Sequence, residues 1–222
     1  MSSEIALKAA DTIAQSYDHY VSERGWIGPE MVFNLLEPHI SEGMQLLDIG
    51  IGTGLCSLRF HEAGVKIYGL DGSAEMLKAC ASKNMTEELV QCDLTKHRFP
   101  YENGQFDFII SYGVFHIVGL IEKIFMEASM RLKNNGIFLF TIVETNPLII
   151  SKYLVSSIPG IYENTNEAGI INYCHDSNYI RKLINSSNLG LISSQTILAF
   201  KDPADNREVH FTIYVCRKNN PI

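Results

Sequence analysis

The sequence predicts an α/β fold built on a parallel sheet, and three observations carry that prediction. Short apolar runs recur along the chain, the first of them enters a glycine turn that leads to a helix, and the second ends in an aspartate. Apolar runs bounded by turn residues are expected of strands buried on both faces, and their alternation with helical patterns is expected of a parallel sheet.

The central stretch is Gln45-Leu-Leu-Asp-Ile-Gly-Ile-Gly-Thr-Gly54. Met44, Leu46, Leu47 and Ile49 read as a buried strand, and Leu55 to Glu62 as the following helix. Gly50, Gly52 and Gly54, having no Cβ, allow unusual dihedrals and a close approach of backbone to a ligand. Before them, Glu4 to Val21 reads as an amphipathic helix, and Pro29 opens a second helix that runs from Met31 to Leu36 and stops at Pro38. These N-terminal helices either cover the open end of a site or pack on the sheet edge.

After the glycine turn, Val65 to Leu70 reads as the second strand, ending in Asp71, and Ser73 can cap the next helix. Glu88 to Cys92 is a third strand followed by Asp93-Leu94. Phe106 to Ile110 is a fourth, with Ser111-Tyr112-Gly113-Val114-Phe115-His116 beyond its end. Leu120 to Leu132 reads as a helix ended by Asn134-Asn135-Gly136, and Ile137 to Val143 as the fifth strand. The stretch from Glu144 to Asp176, with Pro147, Pro159, Gly160 and Gly169, is the least regular and reads as a lid or substrate-binding insertion. Asp176 or Ser177 caps a helix to about Ser187 with Tyr179, Ile180, Leu183 and Ile184 on one face. Leu189 to Phe200 and Glu208 to Arg217 are the last strands; the short Asp202-Pro203-Ala204-Asp205 connection favours an antiparallel hairpin.

Length and composition fit one domain over residues 1–222, divided into an N-terminal helical lid (1–43), a cofactor-binding core (44–143), a substrate lid insertion (144–176) and a C-terminal helix and strand pair (177–222). The net charge of −7 disfavours broad binding to a phosphate backbone, so no nucleic-acid partner is expected. Five cysteines without a C-x-x-C pair read as core thiols in a reducing cytoplasm. No long uncharged apolar run is present, so no membrane partner is expected. The histidines show no metal-ligand spacing, and no metal is expected.

The spacing of the turn bears on the ligand. A nicotinamide fingerprint reads Gly-x-Gly-x-x-Gly, whereas this turn reads Gly-x-Gly-x-Gly. Asp48, two residues before the first glycine, would repel a pyrophosphate but suits a ligand with a cationic amino-acid end, such as S-adenosylmethionine. Asp71 can accept bonds from ribose hydroxyls, or cap the helix behind it. Met76 places a soft side chain where an adenine could lie, and Asp93 with the Leu94 amide could read its edge.

The ordered set Asp48-Ile-Gly-Ile-Gly-Thr-Gly54, Asp71-Gly-Ser-Ala-Glu-Met-Leu77, Asp93-Leu94, Phe106-Asp-Phe-Ile-Ile110 and Leu132-Lys-Asn-Asn-Gly-Ile137 resembles class I S-adenosylmethionine-dependent methyltransferases, most closely their type 11 or UbiE-like small-molecule branch. The resemblance covers roughly residues 44–143. It implies a Rossmann-like, doubly wound, seven-stranded sheet, mostly parallel with the last strand antiparallel, under an N-terminal helical lid. It also implies S-adenosylmethionine as cofactor and S-adenosylhomocysteine as product. Tyr17, Asp48, Gly50, Gly52, Gly54, Asp71, Gly72, Met76, Asp93, Leu94 and Ser111 would form the cofactor site. The chain lacks the Asn/Asp-Pro-Pro-Tyr motif of the base-methylating branches and has Ser111-Tyr112-Gly113-Val114 there instead.

The expected activity is methyl transfer to the oxygen, nitrogen or carbon of a small, partly hydrophobic molecule, by a monomer or homodimer. His116, at the ligand end of the fourth strand, is the candidate base, with Tyr112, Tyr173 and His175 as candidate substrate contacts. A module that binds S-adenosylmethionine without catalysis, in a regulatory or scaffold role, is the alternative.

Overall fold

The computed structural model describes residues 2–146, 149–201 and 208–220. Its main sheet has seven strands, β1 (Gln45–Ile49), β2 (Lys66–Asp71), β3 (Glu88–Gln91), β4 (Phe106–Ser111), β5 (Leu132–Ile142), β9 (Leu189–Lys201) and β10 (Glu208–Lys218), in the order β3-β2-β1-β4-β5-β10-β9. The pairs among β1 to β5 are parallel, and β10 lies antiparallel between β5 and β9. The expected Rossmann-like sheet with an antiparallel last strand is therefore present; the connection at 202–205 lies outside the described residues.

Both faces of the sheet are covered because successive side chains of the central strands point to opposite sides and both sets are apolar. Leu47, Ile49, Ile109, Phe138 and Phe140 pack with Ile124, Phe125 and Ala128 of α6 (Glu122–Arg131) and with Tyr179, Ile180, Leu183 and Ile184 of α7 (Ser177–Ser186). Leu46, Phe108, Ile110, Ile137 and Leu139 pack on the other side with Val32, Phe33 and Leu36 of α3 (Gly28–Leu36) and with Phe60 of α4 (Leu58–Glu62). Asp176 caps α7 by accepting from the Tyr179 amide at 2.7 Å.

The order of strands reverses between β1 and β4, so the loops leaving their carboxyl ends diverge and open a crevice. That crevice is where the glycine turn and the 111–116 loop face each other. The turn is longer than the sequence pattern indicates: α4 starts at Leu58 rather than Leu55, and residues 51–57 are turns. The three glycines take φ of 76°, 54° and 85°, so alternate residues of the turn are left-handed and no helix can begin inside it.

Three further expectations are corrected. The N-terminal helix is broken into α1 (Ser2–Ile13) and α2 (Tyr17–Ser22) by a 3-10 turn at Ala14–Ser16. Helix α6 ends at Arg131, and the Asn134-Asn135-Gly136 segment is a bulge inside β5, with Asn135 at φ 63°, where pairing shifts from Phe106↔Leu132 to Phe108↔Ile137. The 144–176 stretch is not irregular: β6 (Leu154–Val155), β7 (Ile161–Thr165) and β8 (Ile171–His175) form a separate antiparallel sheet. Polar residues such as Glu163, Asn164 and Asn172 interrupt its alternation, which is why periodicity alone does not reveal it. Among the described residues no helix is long and apolar enough to cross a membrane.

Gly54 is buried, and a Cβ built on it would lie 1.9 Å from Met85 Cε and 2.9 Å from Cys80 Sγ. With φ already at 85°, Gly54→Ala is expected to lower unfolding free energy by about 1–3 kcal/mol in urea titration. Unchanged stability would show that the turn is less tightly packed on α5 (Ala74–Ala81) and the segment behind it than the structure places it.

Candidate active site

The glycine turn is held by backbone and by one carboxylate. The Gly50 and Ile51 amides donate to the Leu70 carbonyl at 2.7 and 3.0 Å. The Gly52 amide donates to Asp71 Oδ2 at 2.8 Å, and the Ser73 amide donates to Asp71 Oδ1, also at 2.8 Å. Asp71 thus joins the turn, the end of β2 and the start of α5. Ser73, not Asp71, is the N-cap of α5, its hydroxyl accepting from the Met76 amide at 3.1 Å.

Beside this turn is a cavity of about 330 Å³, lined by eleven of the fifteen sequence-predicted positions. They are Tyr17, Asp48, Gly50, Gly52, Asp71, Gly72, Met76, Asp93, Leu94 and, from the loop after β4, Tyr112 and His116. A Cβ on Gly52 would meet nothing within 4 Å, so this glycine opens directly on the cavity. Gly54 and Ser111 stand apart from it. Gly54 faces Met85 and Cys80, and Ser111 is buried in the sheet, its hydroxyl donating to the Ile49 carbonyl at 2.9 Å.

The roof comes from α1 and α2. Ala6, Leu7, Ala10 and Ile13 line the cavity, and Leu7 lies over Gly72, where a Cβ would sit 2.5 Å from its methyl group. Two aspartates fasten this roof. Asp11 Oδ1 accepts from Ser73 Oγ at 2.5 Å, and Asp18 Oδ1 accepts from Thr53 Oγ1 at 2.5 Å while Asp18 Oδ2 pairs with Lys83 Nζ at 2.6 Å.

A second cavity of about 680 Å³ adjoins the first, and Tyr17, Trp26, Gly113 and His116 line both. Its other walls include Glu144, just past β5, Phe211 of β10, and Asn164 and Asn172 of the small sheet. Sequence reasoning passed over Glu144 and Phe211. The position of Glu144 at a strand's carboxyl end was a usable signal, whereas Phe211 reaches the site only because β10 inserts beside β5.

Tyr173 and His175 line neither cavity. The Tyr173 amide donates to the His116 carbonyl at 2.7 Å and its ring packs on Gly119. His175 is buried, with Nε2 3.1 Å from the Gly119 carbonyl and its ring stacked 5.6 Å from that of Tyr179. Strand β8 turns these two side chains toward the 116–119 loop and α7, so both support the site from behind.

Residues 47–140 match the family model described as a methyltransferase domain. The crystal structure of a Burkholderia thailandensis 1,6-didemethyltoxoflavin-N1-methyltransferase, with its substrate and S-adenosylhomocysteine bound, superposes with a TM-score of 0.69 at 16% identity, over 99% of this chain and 91% of that one. The chain has the class I methyltransferase fold, and its match to a methyltransferase domain spans residues 47–140. Among curated proteins, a malonyl-[acyl-carrier protein] O-methyltransferase of Geobacter sulfurreducens is 28% identical over 58% of this chain and 49% of its own length. A probable 18S rRNA (guanine-N(7))-methyltransferase of Dictyostelium discoideum is 34% identical over 37% of this chain and 29% of its own length. The chain spans half or less of the length of the curated relatives it matches.

The lining of the smaller cavity is compatible with S-adenosylmethionine on its own chemistry. Asp71 offers a carboxylate to the cavity, Met76 and Leu94 give an apolar floor, and the glycine turn leaves room for a ligand against its backbone. Asp93 is already engaged, accepting from Thr95 and paired with Lys96 at 2.8 Å; burial pushes its pKa up, but these bonds outweigh it and hold the carboxyl below its usual range. Burial pushes the Tyr17 phenol up to about 12, so it stays protonated and can donate.

Asp48 is the most perturbed acid here. Burial raises its pKa from 3.8 to about 7, with the nearby Asp71 adding to the rise and the Ser57 hydroxyl, 2.7 Å from Oδ2, opposing it. A carboxyl whose folded pKa is raised contributes stability below its unfolded pKa and loses it as pH climbs through the folded value. Asp48→Asn, which keeps the Ser57 bond, is therefore expected to match the parent's melting temperature at pH 4 and to exceed it at pH 8 in the ligand-free protein. Equal melting temperatures at both values would show that Asp48 ionises normally.

Proposed function

We propose that this chain transfers the methyl group of S-adenosylmethionine to a small, partly hydrophobic acceptor. The observation that carries the proposal is the junction of the two cavities at Tyr17, Trp26, Gly113 and His116. One cavity contains the glycine turn and Asp71; the other has a volume in the range of small-molecule sites. The net charge of −7 speaks against a nucleic-acid acceptor of any size.

The bound cofactor supplies an activated methyl on a sulfonium, so the protein's task is alignment and exclusion of water. Asp71 holds the ribose end and Asp48 favours the ammonium of the methionyl end. The roof of α1 and α2 closes one cavity, and the 144–176 segment walls the other. An acceptor seated in the larger cavity points its reacting atom toward the junction.

His116 stands where a proton would leave that atom. Burial lowers its pKa to about 4, so the imidazole is neutral throughout the physiological range, the form that can accept a proton. Among the described residues no group hydrogen-bonds its ring nitrogens, and its ring lies 5.5 Å from that of Phe211. A base this weak serves by orienting the acceptor and taking its proton late, so turnover should be insensitive to this group above pH 5 and fall below it.

The test is an acceptor screen with S-adenosylmethionine, read as formation of S-adenosylhomocysteine. Turnover is expected on at least one small acceptor. His116→Ala should lower that turnover by about 100-fold while weakening cofactor binding far less. Cofactor binding without product on any acceptor would support a non-catalytic binding module instead.

A further inference from the structure

We propose that the acceptor is a flat ring bearing an anionic group, the ring seated against Trp26, Phe211 and His116 and the anion held by Arg24 and Lys152. This rests on the reading of the larger cavity as the acceptor site.

The wall at the cavity junction is a run of aromatic contacts. Trp26 lies 5.4 Å from Tyr112, Tyr112 lies 5.7 Å from Phe211, and Phe211 lies 5.5 Å from His116, centroid to centroid. Trp26, Phe211 and His116 all face the larger cavity. Rings presented together in this way favour a planar guest, which gains both apolar burial and face or edge contacts.

The charges along the same cavity are unequally satisfied. Among its described lining residues, Glu208 is paired with Lys201 at 3.1 Å and with His210 at 3.7 Å, and Glu144 accepts from the Tyr214 hydroxyl at 3.2 Å. The two cations have no such balance. Arg24 Nη1 donates to the Tyr20 carbonyl at 2.8 Å and the guanidinium lies 3.4 Å from the centre of the Tyr20 ring, with no carboxylate partner among the described residues. Lys152 Nζ has no carboxylate partner among the described residues, while its carbonyl accepts from Asn164 Nδ2 at 2.5 Å, which fixes its backbone beside the cavity. Among the described residues no carboxylate pairs with either cation, and a carboxylate or phosphate on the acceptor would supply that partner. A guanidinium already held over an aromatic ring loses little freedom in binding one.

The experiment is calorimetric titration of the protein, with and without saturating S-adenosylhomocysteine, by benzoate, phenyl phosphate, benzamide and benzylamine. Benzoate or phenyl phosphate is expected to bind about tenfold or more tighter than benzamide and benzylamine, and whichever anion binds better names the group. Arg24→Gln and Lys152→Gln should each remove much of that preference while leaving S-adenosylhomocysteine affinity unchanged, since neither side chain lines the cofactor cavity. Equal binding of the charged and neutral rings, no ring binding at all, or variants that keep the preference would overturn the inference. Failure of S-adenosylhomocysteine to bind, with the anion preference intact, would fault the cofactor reading and leave this site standing.

Discussion

The site depends first on the Asp71 carboxylate. Its two oxygens accept amides from Gly52 and Ser73, and those amides belong to the glycine turn and to the start of α5. A turn whose alternate residues are left-handed glycines has no intrinsic reason to hold one shape; entropy opposes it. The carboxylate, together with the two amides bonded to the Leu70 carbonyl, fixes that shape at the strand ends. Burial raises the Asp71 pKa, and the bonds from Ser73, Gly52 and Gly72 counter it, so the same contacts that shape the turn also favour the charged form.

From that anchor the rest of the site follows by adjacency. Thr53, between Gly52 and Gly54, binds Asp18, and Ser73, beside Asp71, binds Asp11, so the roof helices are fastened to the very segments that Asp71 positions. The reversal of strand order puts the 111–116 loop opposite the turn, and the Tyr173 amide braces that loop through the His116 carbonyl. The two cavities meet where these pieces converge. A perturbed acid, a neutral imidazole and a protonated phenol line that region, and in each case burial is the leading cause.

The parallel core was legible because its strands are buried on both faces, which writes them as continuous apolar runs such as Ile137 to Phe140. The smaller cavity was partly legible because Gly50, Gly52 and Asp71 stand at the ends of two adjacent strands that the sequence marks. Gly54 and Ser111 also lie near strand ends and were read as site residues, but the turn rotates Gly54 onto Met85 and the sheet closes over Ser111. The larger cavity was poorly legible. Its walls come from Arg24, Glu144, Lys152 and Phe211, which lie far apart in sequence and are gathered only by the small sheet and by the insertion of β10. Tyr173 and His175 line neither cavity, and polar residues on both faces of β7 and β8 conceal in the sequence which side is buried.

The most direct measurement is calorimetric titration of the ligand-free protein with S-adenosylhomocysteine, with NADH as the control. Saturable binding of S-adenosylhomocysteine at a single site and none of NADH is the result predicted by a glycine turn set between Asp48 and Asp71. Binding of NADH without S-adenosylhomocysteine would contradict the assignment of that cavity.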